Sequence, residues 1–137
     1  MITVVGKMPE FKGTKARRLA NDSAVAGGVA INVFHDRHVA GRTYGGKGGG
    51  TKEDFIDDLD RALKNTTKPE TRKDKAIGVL RIHLRKDAEM MENDVYDKTG
   101  EAFYDDLPDK KMKAQIQSQG KAGLNRIRSQ DLDSLKS

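Results

Sequence analysis

Histidines are the side chains best suited to chemistry in this 137-residue chain, and two of the three stand in one short motif, His35-Asp36-Arg37-His38. A metal-independent nuclease needs a base, a cationic group to stabilise phosphate, and a basic groove. His35, His38 and His83, with Arg81 close to His83 in sequence, could supply those parts for RNA cleavage. On a regular strand, however, His35 and Arg37 share one face and Asp36 and His38 the other. Metal ligands must converge, so this motif does not predict a metal site. The simpler reading, histidines at a surface or interface, is preferred.

The second candidate is the stretch Gly41 to Thr51. Gly41, four residues, Gly46 and Lys47 follow the phosphate-loop pattern, but Gly48 stands where a metal-reaching Ser or Thr belongs. Six of the ten residues from Gly41 to Gly50 are glycine, which makes a loop hard to pre-organise. No strand ending in a metal-binding Asp follows. The stretch reads as a connector that touches a neighbour or a phosphate through Arg42 and Lys47, not as a nucleotide-hydrolysing site. No cofactor is expected.

Carboxylates come third. Asp57, Asp58 and Asp60 lie on a short helix and fall on its solvated side. Asp97-Lys98-Thr99-Gly100 lacks the alternation and terminal Glu of a calcium loop. Basic residues come last. Arg17, Arg18, Arg42, Lys47, Lys121, Arg126 and Arg128 are the candidates for contact with phosphate or with a partner. Aromatic interleaving is thin and no recognition motif is present, so base-specific readout is not expected.

The charge is unevenly distributed. Residues 1–50 hold eight Lys/Arg against three Asp/Glu, residues 51–107 eleven against fifteen, and residues 108–137 seven against three. Two basic segments therefore flank an acidic middle, within a net charge of +5. Such segments suit nucleic acid through its phosphates, or the acidic middle of another copy. Hydrophobic residues make up 35% and charged residues 34%, so any core is small. There is no cysteine, which excludes disulfides, thiolate metal sites and thiol nucleophiles. No apolar run approaches the ~20 residues of a membrane span, and the N-terminus has no signal-peptide pattern. A soluble protein, cytoplasmic at synthesis and without a membrane partner, is expected.

The elements that must position these residues follow from pattern. Ile2 to Val5 reads as a short β-type run. Lys12 to Ala20 allows a short helix ending near Asn21. Val25 to Val39 is the best strand, apolar at its start and polar at His35 to His38. Thr51 is placed as the N-cap of a helix, with Asp54 three residues on and a stripe of Phe55, Ile56, Leu59, Ala62 and Leu63. Pro69 suits a first helical turn, and Glu70 to about Asn93 reads as helix, although Leu80, Ile82 and Leu84 also alternate as in a strand. Residues 95–104 read as a hairpin turning at Asp97 to Gly100. Asp109 to about Gln119 forms a further helix that Gly120 and Gly123 weaken.

The sum is an α+β fold. It is a small single domain with about three helices, a short sheet that includes a hairpin near 95–104, and extended basic N- and C-terminal arms. The arms are residues 1–24 and 108–137, the latter helical, and the compact core is 25–107. The expected role is a non-enzymatic structural subunit of a larger assembly, such as a virus particle. Its partners would be other copies of itself or other protein subunits, and nucleic acid through phosphates. The alternatives are a metal-independent RNase or toxin domain built on the histidines, and a basic nucleic-acid-binding accessory protein.

Overall fold

The structure is a computed structural model and describes residues 1–22, 47–92 and 110–137. The described residues form five α-helices: α1 (Ile2–Lys7), α2 (Lys15–Asn21), α3 (Lys47–Leu63), α4 (Pro69–Met91) and α5 (Lys110–Arg128). Two 3-10 turns, Pro9–Phe11 and Asp133–Lys136, complete them. No strand occurs among the described residues, so the α+β expectation gives way to a helical fold. The expected strand over 25–39 and hairpin over 95–104 lie outside the described residues.

The chain divides into two compact units. The first comprises Met1–Gly28, Gly50–His83 and Gln130–Ser137; the second comprises Val29–Gly49 and Leu84–Ser129.

In the first unit, Ile2 to Val5 is helical, not the β-run its residue types suggest. β-propensity is a weak prior, and here packing overrides it. Six residues cannot hold a helix alone. Close approach to α2 holds this one: a Cβ at Gly6 would lie 2.2 Å from the Ala16 carbonyl oxygen and 2.6 Å from Ala20 Cβ. Val5 is fully buried beside this crossing. Arg17 of α2 donates to the Gly6, Lys7 and Met8 carbonyls, which the end of α1 leaves without helical partners. Thr14 caps α2, its hydroxyl accepting from the Arg17 amide and donating to Phe11 O at 2.7 Å. Gly13, at φ 81°, supplies the left-handed step that brings the chain from Phe11 to that cap.

The terminal segments are not extended arms. Val5, Phe11 and Ala16 near the N-terminus, and Leu132 and Leu135 near the C-terminus, are buried core residues. Apolar anchors of this kind have to leave water, about 1.5–3 kcal/mol each for the larger ones, and basic neighbours do not alter that. Polar links add to it. The Lys15 amide donates to Ser137 O at 2.8 Å. Glu10 pairs with Arg72 of α4, and Lys136 with Asp74 of α4 at 2.8 Å.

Helix α3 begins at Lys47, so Thr51 lies inside it and is not its cap. Gly48, Gly49 and Gly50 are helical despite a cost of about 1 kcal/mol each relative to Ala. The helix ends where Asn65 takes φ 61°, a left-handed conformation that Asn tolerates better than most residues. Arg72 Nη1 then donates to Thr66 O at 2.9 Å, closing off this end. Helix α4 is found where the sequence places it, with Pro69 at its start and Glu70 in its first turn. Ala76, Ile77, Val79 and Leu80 are buried along it.

In the second unit, α5 continues nine residues beyond the expected stop at Gln119. Gly120 and Gly123 sit on its buried side next to Leu124. Packing on that side offsets the weak propensity of two glycines. Arg128 pairs with Glu92, and its Nη1 donates to Asn125 Oδ1 at 2.9 Å.

Candidate functional site: a groove between helices α3 and α4

In the first unit, titratable and exposed apolar groups meet in a concavity between α3 and α4. Phe55, Leu59 and Leu63 of α3 turn inward at helical spacing, as do Ala76, Ile77 and Leu80 of α4. One turn beyond Leu80, the inward position is occupied by His83, which is 2% exposed. Its ring stands edge-on to Phe55, with centroids 5.3 Å apart and planes at 83°. That arrangement sets the positive ring edge against a π-face. Its Nε2 lies 2.8 Å from Asp58 Oδ2. Asp58 Oδ1 accepts in turn from Arg61 Nη1 at 2.8 Å.

Outside this line of contacts lies an open groove of about 250 Å³, lined by Asp58, Arg61, Ala62, Val79, Ile82 and His83. Ile82 is 64% exposed, the one large hydrophobic side chain so placed among the described residues. The floor is aliphatic and the rim carries a carboxylate and a guanidinium. A His–Asp pair can orient an imidazole for proton transfer. None of the six lining residues offers a hydroxyl or thiol for that imidazole to activate. Apolar side chains and charge pairs are what this groove is equipped to receive.

The other sequence candidates are dispersed. Arg81 and His83 stand about 200° apart around the axis of α4. Arg81 reaches Asp133 Oδ2 at 3.1 Å while His83 turns to Asp58, so the two do not converge on one substrate. His35, His38 and Arg42 lie outside the described residues, and Lys47 is seen only as the first residue of α3. Arg17 is committed to the carbonyls at the end of α1. Arg128 is half-buried against Glu92 and Asn125. Arg18, Lys121 and Arg126 are exposed, Arg18 next to the Gly13 carbonyl at 3.4 Å. Among the described residues, no three His, Cys, Asp or Glu side chains group as a metal site.

Three groove residues escaped the sequence reading. The helical pattern places Asp58 on the solvated side of α3; in the fold it sits at the rim with 44% of its side chain exposed, close enough for His83. Arg61 carried no motif. Ile82 did leave a signal: it is the apolar residue that breaks the helical stripe of α4 and creates the strand-like alternation Leu80, Ile82, Leu84. On a helix, an apolar residue off the stripe is an exposed one.

Comparison of the chain with protein-family models, with curated proteins and with solved structures finds no match. Among the described residues, no helix is long and apolar enough to cross a membrane.

Proposed function

We propose that this chain is a non-enzymatic subunit of a larger protein assembly, with the α3/α4 groove as one of its protein contacts. The exposure of Ile82 beside the aliphatic floor of Ala62 and Val79 carries this reading. An isoleucine held open to water at the mouth of an apolar groove gains by being covered, about 25 cal/mol for each Å² removed from water. The arginines add support. Arg17, Arg72, Arg81 and Arg128 are spent on partners within the chain, which leaves fewer cations for phosphates and favours protein over nucleic acid as the partner. The burial of His83 against Phe55 and Asp58 favours a packing role over RNA cleavage. A virus particle is one assembly of the proposed kind.

The test is gentle lysis of the source cells or particles, fractionation by size, and quantification of this chain across the fractions by mass spectrometry. The chain is expected to migrate with a large complex at a constant ratio to its other components. Migration only at the mass of one or two chains removes the proposal.

A further inference from the structure

The groove does more than expose an isoleucine: beside it, a row of exposed charges on α3 complements itself. Asp54, Asp57, Arg61 and Lys64 are all exposed. Their spacing of three, four and three residues puts them on one face of α3, alongside the groove that Arg61 lines. In chain order the signs run minus, minus, plus, plus. A second α3 laid antiparallel on this exposed face, across a two-fold axis level with residue 59 along the helix, sets Asp54 opposite Lys64 of the other copy, and Asp57 opposite its Arg61. Both pairs recur by symmetry, as they must in an isologous contact.

We propose that the α3/α4 groove is the interface of a symmetric dimer of this chain, with the two α3 helices antiparallel and each Ile82 covered by the opposing groove. The apolar knob and the apolar floor lie on the same face of the first unit, as a two-fold contact requires. Arg61 keeps its bond to Asp58 and still has donors to offer, since a guanidinium carries five N–H groups. A heterologous partner would explain an exposed isoleucine equally well, but it would have no need of a charge row that matches its own reverse.

The proposal specifies the partner for the contact named under the assembly reading and rests on that reading only for its biological use. Sedimentation equilibrium of the purified chain, followed up to about 100 μM, tests it. The wild type is expected to be a dimer whose affinity falls as salt rises. Ile82→Arg is expected to abolish it. Asp54→Lys with Asp57→Lys makes the row wholly basic, and Arg61→Glu with Lys64→Glu makes it wholly acidic. Each variant alone is expected to self-associate at least about tenfold more weakly, whereas an equimolar mixture of the two restores the dimer. Lys64→Glu alone leaves the Arg61–Asp58 bond untouched and separates loss of pairing from loss of fold, which circular dichroism monitors. A monomeric wild type, or a dimer indifferent to Ile82→Arg and to the charge reversals, overturns the proposal. A monomer that still migrates with a large native complex overturns the dimer and leaves the assembly reading standing. A dimer never found in anything larger does the reverse.

Discussion

His83 Nε2 and Asp58 Oδ2 lie 2.8 Å apart, joining two helices across 25 residues of sequence. The imidazole is buried while the carboxylate stays partly in water, so the bond satisfies a polar ring that folding has desolvated. His83→Ala removes the ring from Phe55 as well and is expected to cost about 2–4 kcal/mol in urea unfolding. Asp58→Ala leaves the ring nitrogen without this partner and is expected to cost about 1–2 kcal/mol. The double mutant should fall short of the sum by about 0.5 kcal/mol or more. Strict additivity would show that the pair is not energetically coupled.

Glu10 and Arg72 give the N-terminal segment an acid-sensitive attachment. Burial alone would raise the Glu10 carboxyl. The hydrogen bond from Arg72, a backbone hydrogen bond and the guanidinium charge outweigh it and hold the group below its ordinary 4.5. A depressed carboxylate contributes stability that is present above its unfolded value and disappears as pH falls through the lower folded value. The unfolding midpoint of the wild type is therefore expected to drop below about pH 4.5 more steeply than that of Glu10→Gln. Parallel acid limbs would contradict this. Arg72→Ala also strips the Thr66 and Leu63 carbonyls of a donor and is expected to cost about 2–3 kcal/mol at neutral pH.

Two glycines should respond in opposite directions to the same substitution. Gly78 lies within α4, and a Cβ there meets nothing within 4 Å. Gly78→Ala is expected to stabilise the protein by about 0.5–1 kcal/mol through helix propensity. Gly6→Ala drives a methyl group into the Ala16 carbonyl and is expected to destabilise by about 1–3 kcal/mol, with loss of the α1–α2 crossing. Thermal unfolding followed by circular dichroism measures both. A neutral Gly6→Ala would refute the close approach.

The C-terminal turn is held to α4 by alternating charges running Arg81, Asp133, Lys136, Asp74. The hydrogen bond from Lys136, then its charge, lowers the Asp133 carboxyl below 3.8. The hydrogen bond to Asp74, then that to Asp133, raises the Lys136 ammonium above 10.5. The Asp133 contribution is lost as pH falls through its lowered folded value. The Lys136 contribution is lost as pH rises through its raised folded value. Hydrogen exchange at the Leu135 amide, bonded to Leu132 O at 3.1 Å, reports on this turn. Lys136→Ala, or high salt, is expected to speed that exchange relative to core amides of α4. Unchanged exchange would show that Leu132 and Leu135 hold the turn without the charges.

Much of the helical framework could be read from local pattern. Pro69, Glu70 and the Ile77–Leu80 stripe announce α4, and Phe55, Leu59 and Leu63 announce the buried face of α3, because each signal lies within one or two turns. The β-like reading of Ile2 to Val5 failed because a four-residue run carries no period that separates strand from helix. What makes them helical is Ala16, ten residues beyond Gly6, whose carbonyl tolerates only a glycine at the crossing. Gly120 and Gly123 misled for the same reason: propensity describes an isolated helix, while burial of Leu124 beside them rewards a packed one.

By itself the sequence determined the absence of thiol chemistry, the unequal charge of its segments, where α4 begins, and the minus-minus-plus-plus row on α3. Tertiary structure alone decided that the basic ends fold inward on Val5, Phe11, Leu132 and Leu135, and that His83 meets Asp58. Charge order and capping act between near neighbours and are written locally. Burial and pairing depend on which distant residue arrives opposite, and that is settled when the helices pack.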